Sequence, residues 1–132
     1  MKFMLMMHTP RGTGDYQVNQ WKPEAFRAHI QFMKDLNKGL REAGELAAAE
    51  GLAPPGQARI VRAQSDGAPE VTDGPFAEAK EFLAGYWIVD VENAERAYAI
   101  AGAASKAPGP DGKPLGIKIE VRQVMSGPPD LP

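Results

Sequence analysis

Residues 72–91, with the sequence TDGPFAEAKEFLAGYWIVDV, join a compact polar cluster directly to an apolar and aromatic segment. The second half of this stretch, residues 82–91, is rich in β-branched and aromatic side chains, which predicts a buried strand. The first half combines several charges and an aromatic residue with a Gly-Pro pair, which predicts a turn. A loop that combines charged and aromatic side chains beside a buried strand is typical of a functional site.

The segments on either side extend the sheet that this strand requires. Residues 2–8 are apolar on both faces, which predicts a central strand covered on both sides. Residues 116–125 alternate between apolar and charged side chains, as expected of a strand with one buried face. Further strands are predicted within residues 45–52 and 57–64, with a short return strand at 70–72.

Two helices are predicted between these strands. Pro23 suits the first turn of a helix that runs to about Ala43 and ends at Gly44. Asn93 is a suitable N-cap for a shorter helix over residues 94–103. The apolar stripe of the first helix, which also contains His29, consists of Phe26, Ile30, Met33, Leu36 and Leu40. The residues after the second helix, 104–115, are rich in proline and glycine and predict a long exposed loop.

The predicted order of elements is β-α-β-β-(turn)-β-α-β. This order indicates an α+β fold, a ferredoxin-like two-layer sandwich with two helices on one face of an antiparallel sheet. The other face carries Met4, Met6 and either Tyr86 or Trp87, and such a half-apolar face predicts a homodimer. Residues 1–126 are expected to form one domain, and residues 127–132 a tail that cannot join the interior of a sheet.

The bulk composition limits the classes of function. The chain has 132 residues, 43% of them apolar and 24% charged, with a net charge of −2. It contains no basic block, so direct binding of nucleic acid is not expected. It has no cysteine, which excludes disulfides and thiolate chemistry. No apolar run approaches the ~20 residues needed to span a bilayer, and we expect a cytoplasmic protein without membrane contact.

The string Val71-Thr-Asp-Gly-Pro-Phe-Ala-Glu-Ala-Lys-Glu81 resembles the signature of the DGPF group of YCII-related proteins. Further similarities to the family occur at Met1–Leu5, Ala43–Leu46, Gly51–Leu52, Leu83–Val91 and Ile119–Arg122. The resemblance implies a ferredoxin-like fold of the dimeric α/β-barrel superfamily. It implies no defined function, although relatives in the wider group have been proposed as enzymes because of a His-Asp pair in a pocket.

His29 and Asp73 are the candidate catalytic residues. An imidazole inside an apolar stripe can act as a neutral general base, and a carboxylate can fix its orientation and tautomer. The alternative for His29 is a core histidine satisfied by one hydrogen bond. The alternative for Asp73 is a residue that caps its own turn.

Four further residues are candidates for ligand binding: Phe76, Glu78, Lys80 and Arg122. Phe76 either walls a pocket or fills the core, and we favour the core. Glu78 and Lys80 either form a solvated face or point back over the site, whereas Arg122 lines a cavity or faces solvent. His8 and His29 show no metal-ligand spacing, and no phosphate-binding or dinucleotide motif is present, so no metal or cofactor is predicted.

The sequence thus favours a homodimer that binds a small molecule or has a regulatory role. One alternative is a cofactor-independent enzyme in which His29 is the general base, Asp73 orients it, and the substrate is a small organic molecule. Another alternative is a structural or interaction protein, in which the motif of residues 73–76 only shapes a turn. A fold of this kind does not by itself decide among these functions.

Overall fold

The computed structural model describes residues 1–11, 20–128 and 130. Residues 12–19 and half of the predicted tail therefore lie outside the described residues. The elements are β1 (Lys2–Pro10), α1 (Pro23–Glu42), β2 (Leu46–Gly51), β3 (Arg59–Arg62), β4 (Glu70–Asp73), β5 (Glu81–Asp90), α2 (Ala94–Ala104) and β6 (Ile119–Gln123). A short 3-10 helix at Pro55–Gln57 precedes β3.

The main sheet has the strand order β2-β5-β1-β6, and every neighbouring pair is antiparallel. This order, with α1 and α2 packed against one face, is the ferredoxin-like two-layer arrangement, so the predicted fold class is confirmed. β1 is central, with β5 on one side and β6 on the other, as its apolar character on both faces predicts. No helix within the described ranges is both long and apolar enough to cross a membrane.

The core lies between the helices and the sheet. Along β1, Phe3, Leu5 and Met7 are buried, and they alternate with partly exposed residues. The other buried members of this core are Leu40, Trp87, Val89, Val91, Ala97, Ile100, Ala101 and Ala104. Trp87 therefore faces the helices, and Tyr86 lies on the opposite face of the sheet, which decides the alternative left open by the sequence.

The ends of both helices follow from local sequence. α1 has a proline in its first turn and is followed by Gly44, whose φ of 72° suits a residue without a Cβ. α2 is capped by the Asn93 side chain, which accepts a hydrogen bond of 2.9 Å from the Arg96 backbone N–H.

The buried line of α1 is narrower than the predicted stripe. His29 and Leu40 are buried, and Met33 and Leu36 pack against the core. These positions are four, three and four residues apart and therefore lie on one line along the helix. Phe26, near the start of the helix, and Ile30, which is rotated away from that line, are 38% and 36% exposed. Their assignment to the buried stripe was wrong.

The strand predicted at residues 57–64 does not join the main sheet. Among the described strands β3 pairs with β4 alone, and the two form a separate two-stranded hairpin in which Val61 and Val71 are 60% and 58% exposed. The last strand is also shorter than predicted, because β6 begins at Ile119 rather than at residue 116. The later start of β6 leaves residues 116–118 outside the strand, and these residues border the cleft described below.

Candidate functional site

A cleft opens where the pairing of β1 with β6 ends. The two strands are paired only as far as Met7 and Ile119, whereas β1 continues to Pro10. Beyond that point the residues that precede β6 diverge from β1. The space between these residues and β1 is a cleft of about 680 Å³. The residues that line it are His8, Thr9, Pro10 and Glu81 on one wall and Pro110, Asp111, Lys113, Pro114, Leu115, Gly116, Ile117 and Lys118 on the other.

The second wall is a compact hairpin, residues 107–116, which we call the wall hairpin. It is closed by backbone hydrogen bonds from Gly109 to Lys113 and from Leu115 to Ala107, both 2.8 Å long. Ala107 is only 2% exposed, and Gly109 is also buried. The prediction of a long exposed loop is confirmed for residues 110–114 and wrong for Ala107 and Gly109, because backbone pairing and a buried first turn hold this segment against the fold.

His29 fixes the wall hairpin from the core side. Its side chain is 3% exposed, and its Nδ1 atom lies 3.0 Å from the carbonyl oxygen of Pro108. The ring also meets that of Trp21 edge to face, with the two centroids 5.3 Å apart. His29 does not line the cleft as the described residues define it. Its position agrees with the alternative of a core histidine bonded to the backbone.

Asp73 is exposed to solvent, unlike the buried His29. It ends β4, its side chain is 95% exposed, and its carboxylate lies 3.8 Å from the Arg59 guanidinium. No hydrogen bond joins Asp73 to His29. Because β3 and β4 form a hairpin outside the main sheet, Asp73 faces solvent while His29 faces the core. The pairing expected from the sequence is therefore not present within one chain.

The turn after Asp73 is explained by geometry rather than by ligand chemistry. The Gly74 N–H donates a 2.9 Å hydrogen bond to the Ala58 carbonyl oxygen. A Cβ at Gly74 would lie 3.1 Å from the Ala58 carbonyl carbon, so a larger residue would crowd the backbone. Phe76 is 68% exposed, so the preference for a core position was wrong. Glu78 and Lys80 are exposed as well.

Arg11 organises this segment, and sequence reasoning missed it. Its guanidinium Nη1 donates to the carbonyl oxygens of Phe76 at 2.9 Å and Ala79 at 3.1 Å. Its backbone N–H donates to the carbonyl oxygen of Lys80 at 3.0 Å. A single arginine after a strand has no sequence signal for such a role, because its partners lie more than sixty residues away.

His8 and Glu120 form an imidazole–carboxylate pair at the cleft. The Nε2 atom of His8 lies 3.0 Å from Oε1 of Glu120, and the His8 side chain is 29% exposed. The strand register explains the contact. Glu120 is paired with Met6, and His8 follows on the same face two residues later. His8 is not among the catalytic residues predicted from the sequence, although the alternation that puts Glu120 on the polar face of the last strand was an available signal.

Thr9 is the second unusual polar group of this cleft. It is 1% exposed, and among the described residues its hydroxyl has no hydrogen-bond partner. A buried hydroxyl without a partner is unfavourable in a native structure, and such groups frequently mark a ligand or water site. Within the described ranges, no group of three or more His, Cys, Asp or Glu side chains is placed to hold a metal ion.

The sheet face away from the helices, which we call the open face, is apolar in the centre and charged at its edges. Its central residues are Met4 and Met6 of β1 and Tyr86 and Ile88 of β5, all partly exposed. Arg122 is paired with Met4 and therefore lies on the open face rather than in the cleft. The six predicted site residues are thus dispersed over helix, hairpin, loop and sheet.

Comparison with known proteins is consistent with this architecture. The family model of the YCII-related domain matches residues 1–108. An uncharacterised protein of Rhizobium meliloti (strain 1021) is 36% identical over 90 residues, which are 68% of this chain and 72% of that protein. The extent of the family match, together with the ferredoxin-like sheet, shows that the chain belongs to the YCII-related family.

Proposed function

We propose that this protein is a small-molecule-binding homodimer of the DGPF group, with its ligand in the cleft between β1 and the wall hairpin. The observation that carries the proposal is the Thr9 hydroxyl, which is buried beside a cleft of about 680 Å³ and has no partner among the described residues. A volume of this size suits a small organic molecule. The assignment to the DGPF group is supported by the residues Asp73-Gly-Pro-Phe76.

The wall hairpin supports a binding role because it gives the cleft a fixed shape. Pocket walls that are already ordered spare the ligand the entropic cost of ordering them. Backbone hydrogen bonds within the hairpin and the His29 contact to Pro108 supply this order. The Asp111 side chain accepts a 2.9 Å hydrogen bond from the Lys113 backbone N–H, which further defines the tip.

The open face supports the homodimer. Met4, Met6, Tyr86 and Ile88 form a contiguous apolar strip on adjacent strands, and each is only partly buried within one chain. Two copies can cover this strip in a face-to-face dimer. Burial of apolar surface in such an interface stabilises the dimer by about 25 cal/mol per Å² of buried area.

Ligand binding is tested by NMR of the uniformly ¹⁵N-labelled protein with a library of small organic molecules. We expect a subset to shift the backbone amide signals of His8, Thr9 and Lys118, and we expect Thr9→Val to weaken that binding. Val is matched to Thr in shape and replaces its hydroxyl with a methyl group, so it cannot form a hydrogen bond. Thr72→Val, in the outer hairpin, is the matched control. Binding that maps elsewhere, or that Thr9→Val leaves unchanged, contradicts the assignment of the ligand to this cleft.

The homodimer is tested by sedimentation equilibrium. We expect the wild-type protein to sediment as a dimer and Ile88→Glu to sediment as a monomer, because a charge in the centre of the apolar strip is desolvated on association. Val61→Glu places the same change on the exposed outer hairpin and is expected to remain dimeric. A monomeric wild-type protein, or a dimer dissociated by Val61→Glu, contradicts an interface on the open face.

A further inference from the structure

We propose that His8 and Glu120 form a general acid–base pair that serves the cleft, and that its substrate is a small, largely apolar carbon acid. A carbon acid is a molecule with one C–H bond made acidic by a neighbouring carbonyl or imine group. The inference rests on the proposed function, because it uses the same cleft. It adds a reaction to that cleft and assigns the proton transfer to a residue outside the pair suggested by the sequence.

The contact with Glu120 fixes the tautomer of a neutral His8 side chain. A carboxylate only accepts hydrogen bonds, so a neutral imidazole 3.0 Å from Glu120 carries its proton on Nε2. The lone pair is then on Nδ1, which has no hydrogen-bond partner among the described residues. An imidazole with one nitrogen held by a carboxylate and the other available is the arrangement of a general base with its orienting acid.

The His8 side chain is accessible to a molecule bound in the cleft. His8 lines the cleft, and its side chain is 29% exposed. His29, in contrast, is 3% exposed, and its Nδ1 is engaged by the Pro108 carbonyl oxygen. Of the two histidines of the chain, His8 is therefore the one whose lone pair a bound molecule can approach. A general base must first lie within hydrogen-bond reach of the proton that it abstracts.

The residues that line the cleft indicate the chemical class of the substrate. The cleft walls include five apolar residues, namely Pro10, Pro110, Pro114, Leu115 and Ile117. The other charged side chains around it are balanced, since Lys113 and Lys118 are matched by Glu81 and Asp111. A cleft with apolar walls and balanced charge favours an uncharged, largely apolar molecule over an ion.

The proton transfer is balanced without any further reactant. The substrate C–H bond breaks, its proton moves to Nδ1 of His8, and its electron pair moves toward the adjacent carbonyl or imine. Glu120 stabilises the imidazolium that forms, and the imidazolium then returns the proton to the product or to water. Glu120 does not touch the substrate and is therefore a positioning residue, whereas His8 is the catalytic residue.

The test uses 5-nitrobenzisoxazole, an apolar carbon acid that reports on a general base. Its ring C–H proton is transferred to the base, the C–H electron pair completes a nitrile, and the N–O bond breaks to give a coloured phenolate. We expect the wild-type dimer to convert this probe with saturation, roughly 10²-fold faster than the same concentration of free imidazole. His8→Gln is expected to lower kcat by about 10²-fold, since the glutamine amide can keep the bond to Glu120 but supplies no base.

The role of Glu120 is tested by Glu120→Gln, with Glu50→Gln as the matched control. Glu50 lies in the same row of the open face, on the opposite edge strand, where it is paired with Tyr86. A glutamine amide at position 120 can donate to Nε2 and leave the ring proton on Nδ1, so kcat is expected to fall at least about tenfold with little change in KM. Glu50→Gln is expected to leave both constants unchanged.

Binding of the probe is measured separately, through the NMR signals of Thr9 and Lys118. If the probe binds in the cleft but is converted no faster than by imidazole, or if His8→Gln retains the rate, the acid–base proposal is wrong and the binding function stands. If the probe does not bind, the assignment of an apolar carbon acid is wrong, while other molecules in the library still decide whether the cleft binds a ligand. Equal losses in Glu120→Gln and Glu50→Gln contradict a specific role for Glu120.

Discussion

The imidazole Nδ1 of His29 lies 3.0 Å from the carbonyl oxygen of Pro108, so the first residue of the core-facing line of α1 holds the base of the wall hairpin. The two residues are 79 positions apart in the chain. The contact links the first helix to the segment that follows the second helix. It thereby couples the packing of the core to the shape of one wall of the cleft.

We expect His29→Leu to destabilise the protein by about 1–3 kcal/mol, because the Pro108 carbonyl oxygen loses a hydrogen-bond donor in a partly buried place. We expect His29→Asn to retain much of the stability, since an asparagine amide can donate from nearly the position of Nδ1. The measurement is the free energy of unfolding in urea together with amide hydrogen exchange of residues 107–116.

The exchange experiment separates a local effect from a global one. In His29→Leu, the amides of Gly109 and Leu115 are expected to exchange faster than the loss of global stability requires, because the hairpin opens locally. If their exchange changes only in proportion to global stability, His29 does not hold the hairpin in place. If His29→Asn is as unstable as His29→Leu, the hydrogen bond is not the stabilising element.

Glu45 and Arg96 give the fold a defined sensitivity to acid. The Arg96 guanidinium donates two hydrogen bonds of 2.8 and 2.7 Å to the Glu45 carboxylate, and these bonds lower the pKa of Glu45 below its ordinary value of 4.5. A carboxylate whose pKa is lower in the folded state stabilises the protein above its unfolded pKa. That contribution is lost as the pH falls through the folded value.

We expect Glu45→Gln to be less stable than the wild type by about 0.5–1 kcal/mol at neutral pH, because solvent screens a pair whose arginine side chain is 48% exposed. This difference is expected to disappear below the folded pKa of Glu45, where the wild-type side chain is also neutral. Urea unfolding over a pH series measures both effects. Glu78→Gln, in an exposed loop, is the control, and an equal pH dependence of the difference for both variants contradicts this account.

The fold could be predicted because its main elements are encoded locally. The apolar run of β1, the apolar segment of β5 and the N-cap of α2 lie in neighbouring residues, and together they restrict the topology to few solutions. The separation of β3 and β4 from the main sheet could not be predicted in this way. Val61 and Val71 have the residue types of buried strands, and only tertiary pairing decides that they remain exposed.

The candidate site was less predictable because it depends on contacts between distant residues. The burial of His29 follows from its place in the helical stripe, but its partner is a backbone carbonyl that has no sequence signature. Asp73 belongs to a conspicuous motif and yet is exposed, since the motif mainly shapes a turn against Ala58. The His8–Glu120 pair depends on the register of β1 against β6, which side-chain alternation alone does not fix.

Trp87 connects the core to α1 through its indole. Its Nε1 donates a 2.8 Å hydrogen bond to Oδ1 of Asn37, and its side chain is 5% exposed. We expect Asn37→Leu to lower the free energy of unfolding by about 1–3 kcal/mol, because a buried indole N–H is left without an acceptor. Asn37→Asp retains an acceptor and is expected to lose less. Thermal and urea unfolding measure the two losses, and equal losses indicate that the hydrogen bond contributes little.

Substitution by alanine is expected to change the stability of the protein in opposite directions at Gly85 and Gly102. Gly85 lies in β5 where β2 runs alongside, and a Cβ there would lie 2.9 Å from the backbone oxygen of Glu50 and 3.4 Å from the Cα of Gly51. Both neighbours are backbone atoms in a paired strand and cannot move aside without disturbing the ladder. We therefore expect Gly85→Ala to destabilise the protein by about 1–3 kcal/mol.

Gly102 lies within α2, and a Cβ at this position meets no atom within 4 Å. We expect Gly102→Ala to stabilise the protein by roughly 0.5–1 kcal/mol, because alanine loses less backbone entropy than glycine in a helix. Comparison of Gly85→Ala with Gly102→Ala therefore separates the effect of the close approach of β2 to β5 from the general effect of replacing a glycine. Urea unfolding of the two variants measures the signs. A stabilising Gly85→Ala would show that β2 can move away from β5, and the register of Glu50 opposite Tyr86 would then not be fixed by this contact.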